Sequence, residues 1–245
     1  MNQIERVAGR LRAARRVTIL TGAGVSAASG VPTFRGADGL WRTFRAEELA
    51  TPGAFARDPA LVWEWYAWRR GLIASCQPNA AHDVIARWSH TFPRCYVLTQ
   101  NVDDLHLRAS TSGVVRLHGS IWELACWEQC GAPRWRDQSH PLPTMPPRCP
   151  RCGGLARPAV VWFGESLAAE DVAAAHDACA CDVFLTVGTS ALVYPAAGLV
   201  HEAKRHAAFT VEINLEPTPA SLLVDVALHG SAEQVLADLA RRLTP

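Results

Sequence analysis

The sequence lacks any apolar run approaching the roughly 20 residues that a membrane-spanning helix needs, so no membrane partner is expected. It also lacks an excess of charge of either sign. Its 24 Lys and Arg residues face 23 Asp and Glu residues, which leaves no overall field to draw the chain onto nucleic acid or anionic lipid. No internal repeat or low-complexity linker interrupts the 245 residues, a length that fits one large domain or one domain carrying an insertion. No secretory signal accompanies the eight cysteines, so they are expected in a reducing, cytoplasmic setting as metal ligands or buried thiols rather than as disulfides. The Arg-rich opening MNQIERVAGRLRAARR shares its composition with mitochondrial presequences. Ile4, Val7, Leu11 and Ala14 nevertheless keep a helical stripe straight into VTILTG, which predicts the first helix of the fold.

What the sequence does contain is a series of short β-branched runs ending in small or polar residues: RVTILTGAG, RCYVLTQN, VVRLHGS, DVFLTVGTS and FTVEINLE. Helical patterns over residues 80–88, 170–179 and 196–207 lie between several of them. This order predicts an α/β fold, a Rossmann-like doubly wound parallel sheet whose ligands bind beyond the carboxyl ends of the strands. Two stretches break the rhythm, one rich in Trp and helix formers, the other in Pro and Cys. The expected division is therefore a main domain of residues 1–40, 79–120 and 158–245, with a helical insertion (41–78) and a metal-binding insertion (121–157) forming a smaller module. Residues 133–148 are irregular enough to be a loop of that module.

Within the second insertion, Cys126-x3-Cys130 and Cys149-x2-Cys152 stand 18 residues apart, each pair followed by glycine. Two such knuckles bring four thiolates around one tetrahedral zinc, and a fully ligated ion leaves no position for substrate, so the role is structural. The extra residue in the first knuckle keeps open a metal-free loop of reduced cysteines. Cys76, Cys95, Cys179 and Cys181 lie in apolar or helical settings and read as small core residues.

After the first strand, Gly22, Gly24 and Ala27 give a G-x-G-x-x-A pattern that also includes Ala23 and Ser26. Glycines there let backbone approach a pyrophosphate, and a helix starting just after would aim its amides at the charge. A tight turn without a ligand has the same pattern. Thr33, Phe34 and Arg35 follow, placing a ring to shield a reactive sugar carbon and a guanidinium to contact phosphate or ribose, unless both are ordinary loop packing. Gly188, Thr189 and Ser190, with Asn214 and Glu216 after a later strand, are candidates for phosphate and ribose contacts. His118 taken alone reads first as a strand-end histidine satisfied by backbone.

Taken together, GAGVSAASGVPTFRG, TQNVDDLH, LHGS, the paired cysteines, VVWFGE, VGTS and VEIN resemble the sirtuins, NAD-dependent protein lysine deacylases, in order over nearly the whole chain. The resemblance implies that NAD is consumed with an acylated-lysine protein to give nicotinamide and O-acyl-ADP-ribose; a monomer is expected, although no residue pattern encodes the oligomeric state. It assigns His118 as general base, suited by a reference pKa of about 6.5. It places Gln100, Asn101 and Asp103 at the nicotinamide and ribose end, adds Trp41 and Ala232 to the NAD pocket, and makes Val161, Phe163, Gly164 and Glu165 part of a segment on which the peptide adds as a strand. Asp104 and His106 are left as structural residues.

If LVWEWYAWRR is helical, Tyr66 and Arg69 share a face and form a carboxylate receptor. The sirtuins that remove succinyl, malonyl and glutaryl groups carry this pair with a small residue nearby, matched here by Ala50. In the competing reading Tyr66 packs among Trp63, Trp65 and Trp68 while Arg69 and Arg70 are solvated. Alternatives at the level of function are a deacetylase, an ADP-ribosyltransferase on the same NAD pocket, and a binding module in which the zinc ribbon contacts a partner.

Overall fold

The computed structural model describes residues 2–32, 40–41 and 44–243; Thr33, Phe34 and Arg35, and the side chain of Trp41, lie outside the described part. In chain order, α1 (Gln3–Ala13) leads into β1 (Arg16–Thr21), and the short ribbon of β2 (Leu40–Trp41) and β3 (Phe44–Arg45) precedes α2 (Ala46–Leu49), α3 (Pro52–Arg57) and α4 (Pro59–Ser75). Next come α5 (Ala80–Thr91), β4 (Arg94–Thr99), α6 (Leu105–Arg108) and β5 (Val114–Arg116). The strands β6 (Gly119–Cys126), β7 (Trp135–Arg136) and β8 (Ala156–Val160) follow. The chain closes with α7 (Ala169–Ala178), β9 (Val183–Val187), α8 (Leu199–Arg205), β10 (Phe209–Asn214), β11 (Val226–His229) and α9 (Ala232–Leu243).

Six strands form one parallel sheet in the order β11-β10-β9-β1-β4-β5, the doubly wound α/β architecture expected from the sequence. Five of the six are the β-branched runs; β11 is an addition. Alternation along β1 explains why both faces are covered. Val17 and Ile19 join Val7, Leu11, Ile85 and Leu236 beneath α1, α5 and α9, whereas Leu20 joins Phe184, Leu98 and Leu199 beneath α7 and α8. Strand order reverses between β1 and β9, so a crevice opens at their carboxyl ends, where Thr21 pairs with Val187.

A further apolar cluster lies outside this sheet. Helices α2 to α4 contribute Phe55, Trp63, Trp65 and Tyr66, and an antiparallel sheet of order β7-β6-β8 contributes Trp122, Leu124 and Ala156. Both insertions thus share one core. The strands β6 and β8 straddle the expected limits at 120/121 and 157/158. Arg70 is not solvated: its side chain is fully buried, donates to the Asp137 carboxylate at 2.8 Å, and lies 5.1 Å from the Trp122 ring centroid. That pair ties the irregular 133–148 loop to α4.

Candidate functional site

At the carboxyl ends of the central strands the chain packs backbone against backbone. Gly22 N donates to Val187 O (3.0 Å), Gly24 N to Gly188 O (2.8 Å), and Gly188 N to Ile213 O (2.9 Å). A Cβ on Gly24 would stand 2.7 Å from Gly188 Cα; at Gly188, with φ +59°, one would stand 2.5 Å from Val25 N. The glycines are therefore required by this close approach before any ligand arrives. The helix expected after them is a 3-10 segment, Ala23–Ser29, and the Gly24 amide is already committed to Gly188 rather than aimed outward. Ala23 and Ala27 are partly or fully exposed along it.

Around the same crevice, Gln100 Nε2 donates to Thr189 Oγ1 (2.9 Å) and Asn214 Nδ2 to Thr189 O (2.8 Å). Ser190 is half-buried, Ala232 is buried at the start of α9, and Glu216 is exposed on the loop after β10.

A polar chain runs inward from there. Asn101 Nδ2 donates to Gly22 O and Ser26 Oγ, both at 3.1 Å. Ser26 Oγ donates to Asp103 Oδ2 at 2.8 Å, and Asp103 Oδ1 accepts from Leu105 N at 2.9 Å. Burial pushes the Asp103 carboxyl above the usual carboxylate range. His82, passed over in the sequence, lies behind Ser26. Its Nδ1 accepts from Asn79 N (3.3 Å), so Nε2 carries the proton and faces Ser26 Oγ at 3.4 Å. Burial holds this imidazole neutral, with its pKa down to about 4. The signal that could have found it is PNAAH, in which Asn79 caps α5 and His82 closes the capping box. Asp104 and His106 are structural in position: the first pairs with Arg116 and Arg136, the second is buried against Thr21.

His118 follows β5 beside the end of β4. Its Nδ1 lies 2.9 Å from Gln100 O, and because a carbonyl only accepts, Nδ1 bears the hydrogen and Nε2 keeps its lone pair. Burial lowers the imidazole pKa, partly opposed by that bond. The carbonyl of His118 accepts from Val161 N at 3.0 Å.

The segment from Val160 to Glu165, on which the peptide is expected to add, leaves β8 at Val160. Val161 hangs on His118 and Phe163 N donates to Ala50 O (2.9 Å), while Gly164 takes φ +88° and Glu165 N returns to Trp162 O. The Glu165 carboxylate closes this turn by accepting from Trp162 N (2.8 Å) and from Arg157. It is spent on the loop, whereas the Phe163 side chain is 47% exposed.

Tyr66 and Arg69 lie on one face of α4, with Ala50 buried at the end of α2. The Tyr66 hydroxyl accepts from Trp162 Nε1 at 2.8 Å, and burial pushes its pKa up to about 12. Arg69 is half-buried, with Cζ 5.2 Å from the Trp65 ring centroid. Tyr66 also packs edge-on against Trp63 and Trp65, so the packing reading and the receptor reading share one side chain.

The thiols of Cys126, Cys130, Cys149 and Cys152 lie within 4.8 Å of one another, with Cys126 to Cys152 at 3.6 Å and Cys130 to Cys149 at 3.7 Å. Zinc–sulfur bonds of about 2.3 Å in a tetrahedron require edges of about 3.8 Å, so the donor set fits zinc. The extra residue of the first knuckle is absorbed by Gln129, which turns left-handed at φ 51°. Trp127 N donates to Leu155 O at 2.9 Å and joins the knuckles. Chelation is expected to release one metal per chain, measured with a chromogenic chelator, and to collapse the near-ultraviolet signal of the neighbouring tryptophans before the far-ultraviolet signal of the parallel sheet. Chelation without a metal signal would refute the site.

A family profile described as "Sir2 family" matches residues 22–195. The chain is 52% identical over 217 residues to a protein of Aquifex aeolicus named "NAD-dependent protein deacylase", covering 88% of this chain and 90% of that one. It is 50% identical over 234 residues to "NAD-dependent protein deacylase 2" of Pyrobaculum aerophilum, covering 95% and 93%. Among solved structures, one described as the crystal structure of a Sir2 homolog–NAD complex superposes with a TM-score of 0.92 at 42% identity, covering 98% of this chain and 93% of that one.

Proposed function

The chain belongs to the Sir2 family, and on that premise we propose that it removes acidic acyl groups (succinyl, malonyl and glutaryl) from protein lysines in preference to acetyl. It is an NAD-dependent protein deacylase with NAD as co-substrate and one structural zinc. We assign the zinc to Cys126, Cys130, Cys149 and Cys152. When bound, NAD supplies the electrophilic ribose carbon from which nicotinamide departs.

The roles we give the residues follow from the contacts described. His118 takes a proton from a ribose hydroxyl at Nε2, its Nδ1–H held by the Gln100 carbonyl. Asn101, Ser26 and Asp103 present a connected polar surface to the nicotinamide end; Thr189, Ser190 and Asn214 face the phosphates and the second ribose. Val161, Phe163 and Gly164 offer backbone to the peptide between His118 and Ala50. The domain division read from the sequence, and a monomer in the cytoplasm, complete the proposal; light scattering at micromolar concentration checks the monomer.

One observation carries the acyl preference. The Tyr66 hydroxyl accepts from the Trp162 indole, so its own proton is free to point at an acceptor beside Arg69. A phenol with pKa about 12 stays a donor at neutral pH, and a guanidinium stays charged. A carboxylate fits that pair and acetyl has nothing to offer it. Peptides carrying acetyl-, malonyl-, succinyl- and glutaryl-lysine, incubated with and without NAD and read by mass spectrometry, test the proposal. Expected is NAD-dependent mass loss, about ten- to a hundredfold faster for the acidic groups, the span of a charge-assisted contact. A faster acetyl reaction would refute the preference, and a mass gain by the peptide would favour ADP-ribosyl transfer.

A further inference from the structure

Trp162 carries no role in the sequence reading, yet it is held on every side beside the acyl receptor. It is 2% exposed and packs against Phe55 (ring centroids 5.3 Å apart) and Trp127 (6.2 Å). On one face Arg157 Cζ stands 3.5 Å from the ring centroid, and that guanidinium is itself held by Glu165 and by Val160 O at 2.9 Å. The backbone of Trp162 is pinned by the Glu165 carboxylate. Ring, face and backbone are therefore all fixed, and the single polar atom of the indole points at one target, the Tyr66 oxygen 2.8 Å away.

We propose that Trp162 is a positioning residue that sets acyl selectivity by orienting the Tyr66 hydroxyl, an inference that rests on the acidic-acyl reading above. The chemistry is one-directional. An indole N–H only donates, so Tyr66 must accept there, and its proton is excluded from that side and directed elsewhere. Donation into the oxygen also strengthens the O–H as a donor, as in any chain of hydrogen bonds. Phenylalanine at 162 would keep an aromatic ring in the stack but remove this control, leaving the hydroxyl to rotate. The readout is therefore selectivity between acyl groups, which a general packing role does not move.

The test compares kcat/KM on succinyl- and acetyl-lysine versions of one peptide for the wild type, Trp162→Phe, Tyr66→Phe and the double variant. Expected is a fall of about tenfold in the succinyl-to-acetyl ratio for Trp162→Phe, and no further fall when it is added to Tyr66→Phe, because both act through one hydroxyl. Incorporating 3-benzothienylalanine at 162 keeps the bicyclic volume and deletes the N–H; it is expected to lower the ratio equally and decides the matter if Trp162→Phe does not fold. Equal losses on both peptides, additive losses in the double variant, or a wild-type ratio in the benzothienyl protein would overturn the inference. A wild type that does not prefer succinyl would instead remove the acyl reading itself, before any variant is made.

Discussion

His118→Tyr is expected to abolish NAD-dependent deacylation while leaving NAD binding within a few-fold of the wild type. The imidazole is prepared as a base by two things: the Gln100 carbonyl fixes the hydrogen on Nδ1, and burial favours the neutral form. A phenol, with a reference pKa of about 10, holds its proton at neutral pH and offers no comparable base. Positioned acid–base groups contribute about 10²- to 10⁴-fold, so turnover should fall by at least two orders of magnitude. The backbone contacts of Gly22, Gly24 and Gly188 that shape the crevice do not involve His118, which is why most of the calorimetric NAD affinity should survive.

The pH profile follows with a definite sign. Because the folded pKa lies below 6.5, the wild-type kcat/KM should be flat through neutrality and fall as pH drops through a midpoint under 6.5. A wild-type acid limb centred above 6.5, or a tyrosine variant within twofold of wild type, would remove His118 as the base.

Legible in the sequence is whatever local chemistry writes into a few adjacent residues. The β-branched runs ending in Gly, Thr, Asn or His gave β1, β4, β5, β9 and β10, and the cysteine spacing gave the metal cluster. The run VALH of β11 is only four residues with a single β-branched side chain, too short to stand out. The glycines after β1 were legible as glycines, but a further demand on them, the close approach of Gly188 just past β9 and more than 160 residues later, was not. Trp162 and His82 were missed for a related cause. What matters in each is where one N–H or ring nitrogen points, and the partners, Tyr66 and Ser26, are 96 and 56 residues away. Helical phase put Tyr66 and Arg69 on one face, but it could not say that Asp137 would fold back over Arg70.

That last contrast makes the strongest test of the acyl receptor, because Arg69 and Arg70 are neighbours in sequence with opposite fates. Arg69→Met keeps a long apolar stem that can still lie along Trp65 and removes only the charged fork. Desuccinylation is expected to fall about ten- to a hundredfold, deacetylation to stay within a few-fold, and the melting temperature to move little. Arg70→Met should do the reverse. It deletes a guanidinium that is fully buried against Asp137, whose carboxylate is 19% exposed and would be left without its cation. Breaking such a pair costs about 3 kcal/mol, read as a large drop in melting temperature, and both deacylations should then decline together with the folded fraction. The discriminating quantity is the succinyl-to-acetyl ratio of kcat/KM, which should collapse in the first variant and hold in the second. Were Arg69→Met to lower both activities equally, its guanidinium would be serving the fold or the NAD pocket near Asp103 rather than a carboxylate on the substrate.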